Sequence, residues 1–184
     1  MDTHGMAISR EQRLYVGDSD NNRLCVFEHS GEFVQNIGKK GLLPGEFNVP
    51  YGLAFDANDD LFVSSYFGPC QKMTSDGHFL LAFAYPDPPD GPICFTDVAT
   101  DSWGNAYIIV NGAGIPDEGF EPLKDANGKR MNIKKYNNNG DFVANLRLSS
   151  KDREPLRLVT DRRGRVFVLY KGEKKIGVEI LDEY

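Results

Sequence analysis

The stretch PYGLAFDANDDLFV, residues 50–63, decides the fold because variants of it recur along the chain. Each copy has a first run of strand-forming residues, a gap of four turn-forming residues, and a second strand-forming run. The other copies are GMAIS leading to LYV (residues 5–16), FTDVATDSWGNAYI (residues 95–108) and LRLVTDRRGRVFV (residues 156–168). Short runs of this kind, bounded by turn residues, predict a strand–turn–strand unit present four times.

The turns of these units carry their own chemistry. In three copies the first strand ends in Asp, whose short carboxylate accepts backbone N–H bonds from the turn that follows. Three positions later a residue that tolerates positive φ is expected. The two positions are occupied by Asp56 and Asp59, Asp101 and Gly104, Asp161 and Gly164, and in the first copy by Ser9 and Gln12. We interpret these aspartates as turn caps rather than catalytic groups.

A second unit follows the first three copies. CVFEHSGEFV (residues 25–34), KMTSDGHFL (residues 72–80) and IKKYNNNGDFV (residues 133–143) each predict a strand, a polar turn with glycine, and an outer strand opened by Phe. Four antiparallel strands per repeat, at a period of about 46 residues over the first copies, are typical of a β-propeller blade. The predicted fold is therefore an all-β propeller forming one domain, with blades at about 4–48, 49–92, 93–152 and 153–184. The last blade lacks its outer strand.

Two segments also carry a family resemblance. LYVGDSDNNRLCVF (residues 14–27) and the glycine-rich linker GKKGLLPGEFNVP (residues 38–50) resemble the NHL repeat. The likeness is strongest over residues 5–85, and later copies lose the Asn-Arg step. It implies a six-bladed propeller with a ligand or partner usually on one face.

Four repeats then predict a partial propeller, with a closed four-bladed ring or closure by a second chain as alternatives. Open blade edges favour self-association.

The stretch GDSDNNRL, residues 17–24, raises the question of a metal site. Asp18, Asp20 and Asn22 alternate as the first ligands of a calcium loop do, but such a loop needs Gly at its sixth place and Glu at its twelfth. Arg23 and His29 stand there. The sequence therefore predicts a tight inter-strand turn bridged by Arg23, with no metal and no cofactor.

Two enzyme classes resemble the family. Amidating lyases hold zinc through histidines along the inner strands, and a zinc site needs several converging ligands. Here only His4 starts an inner strand, and His29 and His78 fall in or beside outer turns. Lactonase-type propellers hold a central metal through Glu, Asn and Asp, but only Asn105 and Asn111 stand nearby. A metal-dependent hydrolase or lyase completed outside this chain is thus the alternative function.

Charge limits the choice of partner. The net charge of −6 opposes general attraction to nucleic acid, yet residues 147–175 hold ten Lys or Arg against four Asp or Glu. These charges form either ordinary solvated strand faces or a basic patch for an anionic partner. Single-stranded RNA binding through this basic quarter is the further alternative.

The remaining features favour a binding module. The loops that join second and third strands, expected at 18–22, 66–71, 111–131 and 171–175, open on the face where the inter-blade linkers lie, and the long third one is either a partner-binding loop or an insertion. We predict that this face binds a protein, peptide or glycan without catalysis. The candidate contact residues are Tyr51, Tyr66, Asn111, Arg157 and Lys171.

Membrane and redox signals are weak in this sequence. No apolar run approaches the roughly 20 residues of a membrane helix, and the first residues show no signal segment, so no compartment is predicted. Cys25, Cys70 and Cys94 are an odd number without metal-type spacing. They are expected as buried thiols in strands.

Overall fold

The computed structural model describes residues 3–83, 93–113, 133–150, 153–173 and 175–181. Within these residues every regular element is a β-strand. The strands are β1 (Thr3–Ile8), β2 (Leu14–Asp18), β3 (Arg23–Phe27), β4 (Phe33–Ile37), β5 (Pro50–Phe55), β6 (Asp60–Ser65), β7 (Cys70–Thr74), β8 (Phe79–Phe83), β9 (Ile93–Thr100), β10 (Ala106–Ala113), β11 (Ile133–Tyr136), β12 (Phe142–Leu146), β13 (Glu154–Thr160), β14 (Val166–Lys171) and β15 (Ile176–Leu181).

The strands form four separate antiparallel sheets, each a meander in chain order. The sheets are β1-β2-β3-β4, β5-β6-β7-β8, β9-β10-β11-β12 and β13-β14-β15. The first strand of each sheet packs beside the first strand of the next sheet, so β1, β5, β9 and β13 lie along a common centre. This is a β-propeller of four blades, which we number 1 to 4. The predicted fold and the missing outer strand of the last blade are both confirmed.

Blade packing repeats one aromatic contact. The second strand of a blade presents a ring to the next blade, where it is almost completely buried at Tyr15, Phe62 and Tyr107. Each ring joins a cluster of buried apolar side chains from both blades. Removing such large apolar surfaces from water is the main driving force for stacking blades. The corresponding ring of blade 4, Phe167, is only half-buried.

Apolar side chains are exposed on the two blade faces that have no described neighbouring blade. Side chains at equivalent positions between blades are buried or half-buried. On blade 1 these are Met6 and Ile8, whereas Leu53 at the equivalent position of blade 2 is buried. On blade 4 they are Val159 of the inner strand and Ile176, Val178 and Ile180 of β15. Within the described residues β15 is also an edge strand, paired only with β14.

The turns after the inner strands match their prediction. In each of the last three blades one Asp oxygen accepts the backbone N–H groups two and four residues later, at 2.8–3.0 Å. The turn residue three positions after the cap has positive φ in all four blades, at Gln12, Asp59, Gly104 and Gly164. These aspartates are therefore turn caps.

Strands run further into the upper loops than the sequence estimate, by one residue at Asp18 and at Lys171, by two at residues 70–71, and by three at the end of β10. β10 continues through Ala113, and the backbone of Asn111 pairs with Cys94, so Asn111 belongs to a strand rather than to the loop in which it was expected. The rest of that long loop, from residue 114, lies outside the described residues, as does the side chain of Cys94. Cys25 and Cys70 are buried free thiols in strands, as predicted. The described residues include no helix with the length and hydropathy of a membrane span.

Candidate binding face

One end of the propeller collects the loops that differ between blades. It holds the starts of the inner strands and the turns between second and third strands, at residues 19–22, 66–69 and 172–175. We call this end the upper face, and the end with the repeated aspartate turns the lower face. Hydrogen bonds tie neighbouring blades together on the upper face, for example from the Ser19 hydroxyl to the Pro50 carbonyl at 2.6 Å.

Three of the predicted contact residues meet on the upper face. The rings of Tyr51 and Tyr66 have centroids 5.8 Å apart with planes tilted by 31°. The guanidinium carbon of Arg157 lies 5.6 Å from the Tyr51 ring centroid, although it comes from blade 4 and the ring from blade 2. Phe67 packs edge-on against Tyr66 at 4.7 Å. We call these four side chains the aromatic–arginine cluster.

The cluster rests on a braced backbone segment. The Val49 carbonyl accepts the N–H of Tyr66 at 2.8 Å, and the Asn48 carbonyl accepts the N–H of Phe67 at 3.2 Å. The Asn48 amide group also donates to the Phe67 carbonyl, at 3.3 Å. The linker before β5 therefore holds the turn that carries two of the three rings.

Val49 stores conformational strain at this point. Its φ is +59°, a value that is a genuine outlier for a β-branched residue. The conformation is maintained from both sides, because the N–H of Val49 donates to Asn22 Oδ1 at 2.9 Å while its carbonyl binds Tyr66. Strain of this kind persists only where surrounding contacts over-determine it, and it is concentrated at functional sites.

The Asp18 turn beside this segment is structural, as predicted. Asn21 donates to both carboxylate oxygens of Asp18 at 2.9 Å, and Arg23 Nε donates to Asp18 Oδ2 at 2.9 Å. Burial opposes ionisation of this carboxyl, but the hydrogen bonds from Asn21 and Arg23 outweigh it and lower the pKa of Asp18. The buried carboxylate therefore organises its own turn.

A buried carboxyl lies at the centre of the propeller. Asp97 is on β9, and its Oδ2 accepts the N–H of Leu158 on β13 at 2.7 Å. Gly5 and Gly52 occupy the equivalent positions of blades 1 and 2, and Arg157 that of blade 4. Burial raises the pKa of Asp97 to about 6, although the Leu158 N–H and the charge of Arg157 act in the opposite direction.

One predicted residue, Lys171, lies apart from the cluster. Lys171 is exposed at the end of β14, opposite Glu154 on the neighbouring strand. The side chain of Asn111 lies outside the described residues. Conversely, the sequence prediction missed Phe67, Val49 and Asp97. Of these only Asp97 left a signal, as an acidic residue where two other copies have glycine.

The basic C-terminal quarter is divided between the two faces. Arg162, Arg163 and Arg165 belong to the lower turn of blade 4, whereas Lys171 and Lys175 flank its upper turn. Arg165 pairs with Asp161 at 2.7 Å, and Arg153 pairs with Glu179. The run that looks continuous in sequence is therefore dispersed and partly neutralised in space.

Metal-binding groups are not clustered in the described part of the chain. A group of three or more His, Cys, Asp or Glu side chains that could hold an ion does not occur there. His78 is exposed in the outer turn of blade 2, where its Nδ1 lies 2.9 Å from Asp76. Asn105, considered above as a metal ligand, instead donates its side-chain amide to Asp101 at 2.7 Å.

Comparisons with known proteins agree with this fold. Residues 6–66 match the sequence profile of the DUF5128 family, which is described as a 6-bladed beta-propeller. The chain is a β-propeller, and its four described blades make it a partial one relative to that six-bladed family.

Solved structures extend the likeness across the chain. Hydrazine synthase of Kuenenia stuttgartiensis superimposes with a TM-score of 0.68 at 9% identity, covering 98% of this chain and 46% of that one. A nidogen/laminin complex gives 0.63 at 17%, covering 96% and 60%, and a Xanthomonas campestris gluconolactonase gives 0.55 at 14%, covering 97% and 74%. At these identities the likeness defines the fold alone. The chain spans about half the length of the first of these structures.

Proposed function

We propose that this protein is a non-catalytic binding module whose upper face holds a protein, peptide or glycan partner. The observation that carries the proposal is the convergence of Tyr51, Tyr66 and Arg157 from three separate places in the sequence. Tyr and Arg are the residue types most enriched among interface anchors, because they combine a large contact area with hydrogen bonding. Lys171 and Asn111 remain candidate contacts at the edge of the same face.

The backbone beneath the cluster favours binding over mere packing. A strained Val49, held by Asn22 and by the Tyr66 turn, fixes the tyrosine pair before any partner arrives. Preorganised groups lose less conformational entropy on association, which increases affinity. We also propose that the domain is of the NHL type, on the strength of the segments at 14–27 and 38–50.

The test is a panel of soluble probes measured by isothermal titration calorimetry on the purified chain. The panel contains an acidic and a neutral hexapeptide, a neutral oligosaccharide, a ten-nucleotide single-stranded RNA, and Ca²⁺ and Zn²⁺. Binding of a peptide or glycan that is lost in a Tyr51→Ala, Tyr66→Ala double variant supports the proposal. If no peptide or glycan binds, the proposal fails.

The second candidate is a metal-dependent hydrolase or lyase whose site is completed outside this chain. The observation that favours it is Asp97, a buried carboxyl near the centre. Stoichiometric binding of Ca²⁺ or Zn²⁺ that disappears in Asp97→Asn would select this function over the binding module.

Single-stranded RNA is a further candidate, resting on the basic run. The division of that run between two faces leaves few charges for one continuous track, and RNA binding needs both charge and stacking platforms. Tight RNA binding with a steep salt dependence would favour it.

Self-association is the last proposed property. The outer faces of blades 1 and 4 expose Met6, Ile8, Ile176 and Val178, and β15 offers an open edge. Such surfaces promote association between copies. Light scattering should show a mass above that of a monomer, and an Ile176→Lys, Val178→Lys variant should return it to monomer.

A further inference from the structure

We propose that Arg157 is a receptor for a carboxylate, and that the partner of the upper face is an acidic peptide segment. This rests on the proposed binding function and specifies the chemistry of its ligand. Three observations carry it: the environment of the Arg157 guanidinium, the ring contacts of the two tyrosines, and the distribution of arginine partners in the rest of the described chain.

The Arg157 guanidinium is positioned but not neutralised. Its carbon lies 5.6 Å from the Tyr51 ring centroid, and its Nη1 donates to the Leu156 carbonyl at 2.8 Å. A guanidinium has five N–H donors in a planar fork, so most of its donors remain available. A cation–π contact with an aromatic face uses none of the N–H donors, so they remain available for a bidentate carboxylate.

Four arginines have a described carboxylate partner, whereas Arg10, Arg157, Arg162 and Arg163 have none, and of these four only Arg157 lies on the upper face. Arg13 binds Glu28, Arg23 binds Asp18, Arg153 binds Glu179 and Arg165 binds Asp161. Among the described residues, no carboxylate oxygen lies within 4.0 Å of the Arg157 guanidinium. The nearby carboxyl of Asp97 is buried and accepts the Leu158 N–H instead. Arg157 is exposed on the upper face and carries the charge that an acidic ligand would match.

The tyrosine rings favour a peptide over a saccharide. A sugar ring stacks on an open aromatic face. Here the Tyr51 ring has Arg157 over it and Tyr66 5.8 Å away, and Tyr66 also meets the Phe67 edge. The cluster therefore presents ring edges and a guanidinium fork, which suit a carboxylate with apolar atoms beside it. Glutamate and aspartate side chains on an extended peptide have this chemistry.

The experiment compares two capped hexapeptides, hexaglutamate and hexaglutamine, by calorimetry on the whole chain. The protein's net charge of −6 repels a polyanion at long range, so binding of hexaglutamate requires a local receptor. We expect hexaglutamate to bind at least tenfold more tightly than hexaglutamine. Arg157→Gln should reduce its affinity about tenfold to a hundredfold, the range of a charge-assisted pair, and Arg157→Lys should restore only part of it.

Arg163→Gln is the matched control. Arg163 has the same charge, is exposed on the same blade, and lies in the lower turn. Its substitution should leave hexaglutamate affinity unchanged. Equal losses in the two variants would overturn the proposal, because they would mean diffuse charge attraction. Equal affinity for the two peptides, or no measurable binding of hexaglutamate, would overturn it as well.

The panel separates this inference from the function on which it rests. If a neutral probe binds and depends on Tyr51 and Tyr66 but not on Arg157, the binding module stands and the carboxylate receptor fails. Oligogalacturonate is added to the panel as an acidic saccharide; if it binds in an Arg157-dependent way while hexaglutamate does not, the partner is an acidic saccharide and the peptide proposal is wrong. If no peptide or glycan binds, both fail together.

Discussion

The lower face of this propeller is built from a repeated turn, whereas the described turns of the upper face differ between blades. On the lower face the same turn recurs, with a carboxylate cap in the last three blades and a positive-φ residue three places after the cap position in all four. On the upper face the described turns differ in sequence from one another, and the equivalent central positions hold Gly5, Gly52, Asp97 and Arg157. Features that repeat are those every blade needs for folding. Features that occur once are the places to look for function.

The largest effect on the free energy of unfolding is expected from a substitution in a buried ion network on the lower side of blade 2. Lys72 Nζ lies 3.0 Å from Asp56 and from Asp60, and it donates to Asn138 of blade 3 at 2.7 Å. Lys72→Met removes the only described cation of this network, so we expect a loss of about 3–5 kcal/mol in the free energy of unfolding, measured in urea.

The control for this variant is Lys39→Met. Lys39 is mostly exposed and pairs with Glu46 at 3.4 Å, so its loss should cost about 0.5 kcal/mol or less. Equal costs for the two lysines would mean that the lower face does not depend on its buried charges.

The next prediction concerns pH and the central carboxyl. The pKa of Asp97 is raised to about 6 from 3.8, so between these values the unfolded chain releases its proton before the folded chain does. Wild-type stability should therefore fall, relative to Asp97→Asn, by roughly 2–3 kcal/mol as the pH rises from 4 to 7. Urea unfolding of both proteins at several pH values measures the difference. A constant difference would show that Asp97 is not stabilised in its protonated form.

Two turn caps on the lower face allow a graded comparison. Asp101 is buried and also accepts hydrogen bonds from the Asn105 amide and the Tyr107 hydroxyl, whereas Asp161 is half-exposed. Asp101→Ala should cost about 2 kcal/mol, because it leaves buried donors unsatisfied, and Asp161→Ala should cost less. Thermal unfolding monitored by circular dichroism ranks them. The reverse order would contradict the assignment of burial as the deciding factor.

The smallest predicted change in the free energy of unfolding is an increase, and it is expected on the upper face. Val49→Asn places a residue that tolerates positive φ where the β-branched side chain is strained. We expect the free energy of unfolding to rise by up to about 1 kcal/mol. Destabilisation by this substitution would mean that side-chain packing of Val49 outweighs its backbone strain.

The fold could be predicted almost completely from sequence, because a propeller repeats its local signals. Strand, aspartate cap and positive-φ turn recur at a fixed spacing, and each is specified by residues within a few positions of one another. The largest boundary error, at Asn111, arose because nothing in the local sequence marks how far β10 continues into a long loop.

The candidate binding face, too, could be predicted only in part from the sequence. Sequence reasoning could place Tyr51, Tyr66 and Arg157 on one face, since strand direction alone determines which ends lie together. It could not show that Arg157 reaches the ring of Tyr51, that Phe67 completes the cluster, or that Val49 is strained. Those facts depend on how blades rotate and pack against each other. Local residue chemistry determined the blades, and only the tertiary structure decided which side chains meet between them.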